Sequence, residues 1–471
     1  MSMNDNIILI TDGYKPTHWV QYPPKTEFVY SYLEARLGGK FPATVQFGPQ
    51  YIIGEYLAGQ VVTAEKIKQA KRRFAGYFGS DKLFNEAGWQ HILKDHGGRI
   101  PVSIRAIREG TIVPEGNALM TVVNTCKQCY WVTNYVETLL VQAWYPITVA
   151  TLSYMMKNLI REFLIKTQGN DAGLEWKLHD FGCRGVSSME SAAIGGAAHL
   201  INFKGTDTLT AIDLIEEFYG LSNDKGEIAM SIPAAEHSTI TSWGGPDQEI
   251  DAFMNMLTQF PTGLVAVVSD SYDIEKACKT WGTDLLDAVL ARNGTLVVRP
   301  DSGDPTVVVP RILEILGQGF GFTYTTTGHK MLNDKVRVIQ GDGINYESTR
   351  KILEAVASKG WSTGNLAFGM GGALLQQLNR DTQRFAFKCS AAMVGGKWRD
   401  VYKQPKSDPA KNSKRGRLMV IQTNKGIETI RENDNEFPDL LVEVFRDGNM
   451  LFQSDFDEVR ARADGKSIVL A

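Results

Sequence analysis

Four times between Leu264 and Leu378 a short, continuously apolar run stops at Gly, Asp or Ser and yields to a helical pattern. Leu264-Val-Ala-Val-Val-Ser-Asp270 leads into Tyr272–Trp281, and Thr295-Leu-Val-Val-Arg-Pro-Asp301 leads through Ser302-Gly303-Asp304 into Val307–Leu316. Val336-Arg-Val-Ile-Gln-Gly-Asp342 leads into Tyr346–Lys359, and Leu366-Ala-Phe-Gly-Met-Gly-Gly372 into Ala373–Leu378. Unbroken rather than alternating apolar strands are what a parallel sheet covered on both faces requires. A repeat of roughly thirty to forty residues suits successive βα units. An open doubly wound sheet and a barrel both satisfy the spacing. The barrel is favoured because so many strand ends carry polar chemistry, whereas an open sheet gathers its ligands at one switch point.

The flanks read differently. Up to about Gln142 short β-like runs, Phe28–Leu33, Val102–Ile107 and Ala118–Val123, alternate with turns such as Pro114-Glu-Gly116, beside one expected helix, Ala64–Phe78. From Trp131 to about Lys166 the pattern is helical, with Pro146 as the expected break. After Asp381 β-like runs return at Arg384–Ser390, Arg417–Gln422 and Leu440–Arg446. These patterns give residues 1–145 and 381–471 as two parts of one β-rich domain and 146–380 as the α/β barrel.

At 471 residues the chain is long enough for two or three domains. Fifty basic against 53 acidic residues leave a net charge of −3, which offers no general attraction to nucleic acid or an anionic membrane. Met1–Ile10 lacks a signal-peptide pattern and no apolar run is long enough to span a bilayer, so a soluble, cytoplasmic protein is expected. Of five cysteines only Cys126 and Cys129 are close; without a second Cys/His pair in the neighbouring sequence they read as incidental thiols rather than half a zinc site.

Several strand ends hold chemistry. Gly341-Asp342-Gly343 and Gly369-Met-Gly-Gly372 fall at the last two βα turns, where barrels bind phosphate: glycine allows close approach and a helix start supplies N–H groups. Arg299 and Asp301 would clamp a phosphate and hold ribose hydroxyls, or form a strand-end ion pair with Asp301 or Asp304 capping the next helix. His237 stands at an apparent helix start, with Asp270 and Glu236 as carboxylates able to orient it. Asp207 is either a ligand or the cap of the helix Leu209–Tyr219. The basic stretch Lys403, Lys406, Lys411, Lys414, Arg415 and Arg417 reads as a solvated loop, a localisation signal or nucleic-acid patch, or a loop over a polyphosphate.

Taken together, Thr11-Asp-Gly-Tyr-Lys-Pro-Thr-His18, His179-Asp-Phe-Gly-Cys-Arg-Gly-Val-Ser-Ser188, Asn202-Phe-Lys-Gly-Thr-Asp207 and Pro233-Ala-Ala-Glu-His-Ser-Thr239 resemble the nicotinamide phosphoribosyltransferases. So do Val268-Ser-Asp-Ser-Tyr-Asp273, Arg299-Pro-Asp-Ser-Gly303, Ile339-Gln-Gly-Asp-Gly343 and Lys414-Arg-Gly-Arg417, in order along almost the whole chain. The resemblance implies a type II phosphoribosyltransferase fold, an irregular α/β barrel with a β-rich second domain formed by both chain ends. It also implies a homodimer with shared active sites. The implied reaction joins nicotinamide to 5-phosphoribosyl 1-pyrophosphate, with Mg²⁺ on the pyrophosphate and ATP coupled through a phosphohistidine.

By motif, Phe181 and a partner's Tyr14 would sandwich the pyridine ring, and Asp207 would accept from the carboxamide. Arg184 and Arg299 would contact substrate and phosphate, Asp301 and Asp342 the ribose, and Gly341, Gly371 and Gly372 the phosphate-binding turns. His237 would be phosphorylated and oriented by Asp270, while Arg36, Arg380, Lys388 and Lys403 would line the pyrophosphate site from the other subunit. Cys183, Met370 and Ala373 depart from the family's usual residues. A nicotinate-specific enzyme and a non-catalytic binding protein on the same scaffold are the alternative readings.

Overall fold

The computed structural model describes residues 6–221, 228–406, 412–432 and 437–465. Contacts divide the chain into two units: Met1–Thr151 with Glu217–Gly220 and Asn379–Ala471, and Leu152–Glu216 with Leu221–Leu378.

The second unit is built on parallel strands β1 (Leu178–Asp180), β2 (Gly205–Thr206), β3 (Thr262–Val268), β4 (Asn293–Arg299), β5 (Val336–Gln340) and β6 (Leu366–Met370). Their spatial order is β2-β1-β6-β5-β4-β3. The helices Ile274–Gly282, Pro305–Phe320 and Tyr346–Ser358 follow β3, β4 and β5, and each begins at a capping side chain: Asp273, Asp304 and Asn345 accept from first-turn N–H groups. Asp304 is therefore the cap in the Arg-Pro-Asp-Ser-Gly-Asp turn, and Asp301 is left for other work.

The sheet does not stay open. Met230 bridges to Gly205 on β2 and Ala234 to Ala266 on β3, so the segment 230–235 joins the two edge strands. The Met230 N–H donates to Lys204 O at 2.8 Å, and the Ala266 N–H to Pro233 O at 2.9 Å. This irregular closure makes a barrel whose interior is filled by Ala266, Val297 and Ile339, with Phe181, Ile232 and Ala367 packed against them. These come from successive strands, as the alternation of side chains across a sheet demands.

The first unit carries a seven-stranded sheet in the order Lys397–Asp400, Phe385–Val394, Thr26–Ala35, Ala118–Asn124, Val102–Ile107, Leu441–Arg446, Asn449–Met450. Phe385–Val394 pairs antiparallel with Thr26–Ala35, and Leu441–Arg446 with Val102–Ile107, so both chain ends are needed to complete it. The helix Ala64–Phe78 runs between a Thr63 cap and Gly79 at φ 67°.

Two expectations need correction. Pro146 does not break a helix: it lies in the first turn of Trp144–Gln168, where the missing N–H has no intrahelical partner to lose. The Cys126/Cys129 pair is not isolated either, because the fold brings His91 and His96 to it. Among the described residues no helix is long and apolar enough to cross a membrane.

Buried Glu109 ties the first unit together, accepting from Gln50 N at 2.8 Å and Tyr219 Oη at 2.7 Å. Burial pushes its carboxyl up to about 7, against hydrogen bonds and Arg462 that favour the ionised form. Since the folded value lies above the ordinary one of 4.5, its contribution is fully present at lower pH and is lost as pH rises through about 7. Urea unfolding across that window should show stability declining with pH, and Glu109→Gln should flatten the decline; an equal slope in the variant would contradict the assignment.

Candidate active site

The predicted barrel residues meet at the carboxyl ends of the parallel strands. At the end of β1 the buried Asp180 carboxylate accepts from Gly182 N and Thr208 Oγ1, both at 2.7 Å, and from Thr206 Oγ1 at 3.2 Å. That network fixes the turn after β1 and sets Phe181, whose N–H donates to Met370 O at 3.0 Å. The Phe181 ring lies over two glycines. A Cβ at Gly369 would stand 2.0 Å from its Cε2, and one at Gly341 would stand 3.6 Å from the same atom. The glycine at 369 thus clears space for the ring.

On the neighbouring strand end Asp207 is exposed, its backbone N–H donating to Asp180 O at 3.0 Å. Its Oδ1 accepts from the Ser231 hydroxyl, which the closing segment 230–235 delivers. That segment then enters the helix His237–Thr241. Glu236, expected as a possible orienting group for His237, is instead the N-cap: it forms a capping box with Thr239 and accepts from Ser238 Oγ. Asp270 holds the imidazole, with Oδ1 3.1 Å from His237 Nε2, and its Oδ2 accepts from Asp301 N at 3.0 Å. The Asp270 side chain is 4% exposed and that of His237 47%, so a fixed carboxylate grips a ring open to solvent.

Burial raises the Asp301 carboxyl, Arg299 opposes the shift, and Asp270 and Asp342 add to it. Three acids and His237 therefore share one field. Arg299 sits only loosely against Asp301, at 4.0 Å, and its buried Nε has no hydrogen-bond partner. A donor in that position suits an incoming anion. Arg184 lies exposed on the turn Cys183–Gly185. Gly371 and Gly372 border open space or backbone, but the helix there, Gly372–Leu375, is one turn and not the Ala373–Leu378 expected, so the turn offers local N–H groups rather than a macrodipole.

In the first unit Lys388 gathers the basic residues. Burial lowers its pKa, and Arg36, Arg380 and Lys403 lower it further, against Glu137. Four cations thus share one patch beside Phe385–Val394. Tyr14 is 59% exposed, edge-on to His18 at 4.9 Å. In the basic stretch Lys414 pairs with Glu34 and Arg417 with Glu432, while Lys411 lies outside the described residues.

Three residues were missed from sequence. Asp180 stands inside the His179–Ser188 motif with no role of its own, and Ser231 lies outside every motif. Glu249, on the helix Glu249–Gln259, is raised to about 7 by burial, with Asp270 and Asp273 adding to the shift and Lys276 opposing it. Nothing in the local pattern marks it.

Among solved structures the chain is similar to nicotinate-nucleotide pyrophosphorylase from Pyrococcus furiosus, with TM-score 0.60 at 16% identity over 99% of this chain and 97% of that one. It is also similar to human nicotinic acid phosphoribosyltransferase, with TM-score 0.57 at 16% identity over 97% and 93%. A βα barrel unit with these polar strand ends, together with a separate β-rich unit made from both chain ends, is the type II phosphoribosyltransferase architecture.

Residues 176–449 match the nicotinate phosphoribosyltransferase (NAPRTase) family and residues 6–104 the nicotinamide phosphoribosyltransferase N-terminal domain. The chain is 49% identical over 471 residues to the nicotinamide phosphoribosyltransferase of Xanthomonas campestris pv. campestris (strain 8004), and 32% identical over 505 residues to that of Acinetobacter baylyi, covering 98% of each chain in both cases. The chain belongs to the nicotinate phosphoribosyltransferase family.

Gly369→Ala tests the seat of Phe181. The added methyl should displace the ring and lower stability by about 1–3 kcal/mol, as overpacking does, whereas Gly372→Ala meets nothing within 4 Å and should cost less. Denaturant midpoints check this; a Gly369→Ala protein as stable as wild type would mean the ring is not held there.

Proposed function

We propose that the barrel mouth joins nicotinamide to 5-phosphoribosyl 1-pyrophosphate, yielding nicotinamide mononucleotide and pyrophosphate, a step of NAD salvage in the cytoplasm. The observation that carries the reading is Asp207. Ser231 engages one carboxylate oxygen, which leaves the other to accept an amide N–H, on the strand end next to Phe181. An anion there favours nicotinamide and repels the carboxylate of nicotinate.

The chemistry needs positioning more than proton transfer. As the bond from the anomeric carbon to pyrophosphate breaks, its electrons leave with the pyrophosphate, and the pyridine nitrogen lone pair forms the new bond. Phe181 would support one face of the pyridine ring, with the exposed Tyr14 of a second copy on the other, so that a homodimer completes each site. Asp301 and Asp342 would accept from ribose hydroxyls. Gly341, Gly371 and Gly372 would let the 5′-phosphate approach the backbone, with Arg184 and the unpartnered Arg299 Nε as further donors. The patch of Arg36, Arg380, Lys388 and Lys403, from the second copy, would stabilise charge on the departing pyrophosphate.

Mg²⁺ fits an acidic field of Asp270, Asp301 and Asp342. Among the described residues these do not converge into a tight ligand group, so an ion there would be carried largely by phosphate oxygens with one or two carboxylates. When bound it supplies positive charge to the leaving group. ATP would pass its terminal phosphoryl group to His237, releasing ADP; with Nε2 held by Asp270, Nδ1 is the nitrogen left to take it.

Asp207→Asn tests the selectivity. Removing the charge should shift the ratio of kcat/KM for nicotinate over nicotinamide upward on the order of ten- to a hundredfold, read by chromatographic quantification of both mononucleotides. An unchanged ratio would sink the argument from Asp207.

A further inference from the structure

Far along the sequence from the strand ends of the barrel, the β-rich unit holds a second constellation. His91 lies on the helix Glu86–Asp95 and His96 caps its carboxyl end; Cys126 and Cys129 bound the single turn after the strand Ala118–Asn124. One ligand atom from each of the four lies within 4.8 Å of all the others. We propose that His91, His96, Cys126 and Cys129 form a structural zinc site.

The donors and their spacing fit. Cys-x₂-Cys with His-x₄-His supplies two thiolates and two imidazoles, the set that closes a tetrahedral Zn²⁺ site, and soft sulfur disfavours Mg²⁺ or Ca²⁺. Around a zinc with bonds of about 2.0–2.3 Å, ligand atoms stand roughly 3.3–3.8 Å apart. His91 Nε2 and Cys126 Sγ are already 3.4 Å apart, and the wider pairs need a contraction of at most about 1.5 Å.

The surroundings are those of a prepared site. His91 Nδ1 is 2.7 Å from Asp95 Oδ2, a carboxylate that fixes the tautomer and turns Nε2 toward the sulfur. His96 Nε2 is buried with no hydrogen-bond partner, an atom whose cost ligation would remove. Cys129 is fully buried, and its N–H donates to Cys126 O at 3.0 Å, while Asn124 Nδ2 donates to the same oxygen at 2.8 Å. The turn is thereby built before any ion arrives. Binding replaces the two thiol protons, which pass to solvent, and changes no oxidation state. Four protein ligands leave no open position for water, so the ion would staple the helix to the turn rather than catalyse. The inference is independent of the proposed reaction, because its readout is metal content and not turnover.

The test is elemental analysis of the full chain, expressed with zinc in the medium and freed of any affinity tag. About one zinc per chain is expected, retained through gel filtration and lost in Cys126→Ser/Cys129→Ser. Exchange of the wild-type protein with Co²⁺ should give thiolate charge-transfer and tetrahedral ligand-field bands. If the double variant does not fold, Asp95→Ala serves instead, with zinc affinity expected to fall about tenfold or more. Negligible zinc with free thiols overturns the proposal, and so does a Cys126–Cys129 disulfide in metal-free protein.

Discussion

The barrel's chemistry depends on how its sheet closes. Six parallel strands leave two edges, and the segment 230–235 satisfies both with a few backbone hydrogen bonds rather than a full strand. An unpaired edge would leave backbone groups without partners. Because the closing segment is short and irregular, it exits at once into the mouth. There Ser231 reaches Asp207 and His237 reaches Asp270. A regular strand at this position would extend the wall and carry those residues elsewhere.

Charge is divided between the units. The barrel mouth concentrates carboxylates, Asp207, Asp270, Asp301 and Asp342, with Arg299 and Arg184 as its cations, while the β-rich unit concentrates Arg36, Arg380, Lys388 and Lys403. Neither patch alone suits the proposed substrate, part sugar and part polyphosphate. In the proposed reaction the acids would accept ribose hydroxyl and nicotinamide amide hydrogens, and the bases would take the leaving pyrophosphate. The proposed homodimer is the arrangement that uses both.

The parallel strands were legible because burial on both faces leaves unbroken apolar runs: β5 and β6 lie within those read from sequence, while β3 and β4 overlap them but start two residues earlier. The closing segment was not legible: Pro233 and two alanines carry no strand pattern, and the pairing is long-range. Asp270 could be matched to His237 only as one of two candidates, since Glu236 is adjacent in sequence and its capping role needs three dimensions to see. The basic patch is scattered from Arg36 to Lys403 and entered through family resemblance alone. Likewise His91 and His96 are separated from Cys126 and Cys129 by three strands, so a search of neighbouring sequence returned two incidental thiols. Pro146 shows the converse: a residue that breaks helices in their interior is harmless in a first turn.

In the proposed reaction the anionic mouth selects the amide form of the pyridine, and His237 couples ATP to its use. The most direct test is competition between nicotinamide and nicotinate in one reaction with phosphoribosyl pyrophosphate and Mg²⁺, with and without ATP. Nicotinamide mononucleotide is expected as the dominant product, formed faster when ATP is present. Nicotinate mononucleotide as the dominant product, or a rate indifferent to ATP, would contradict the proposed reaction.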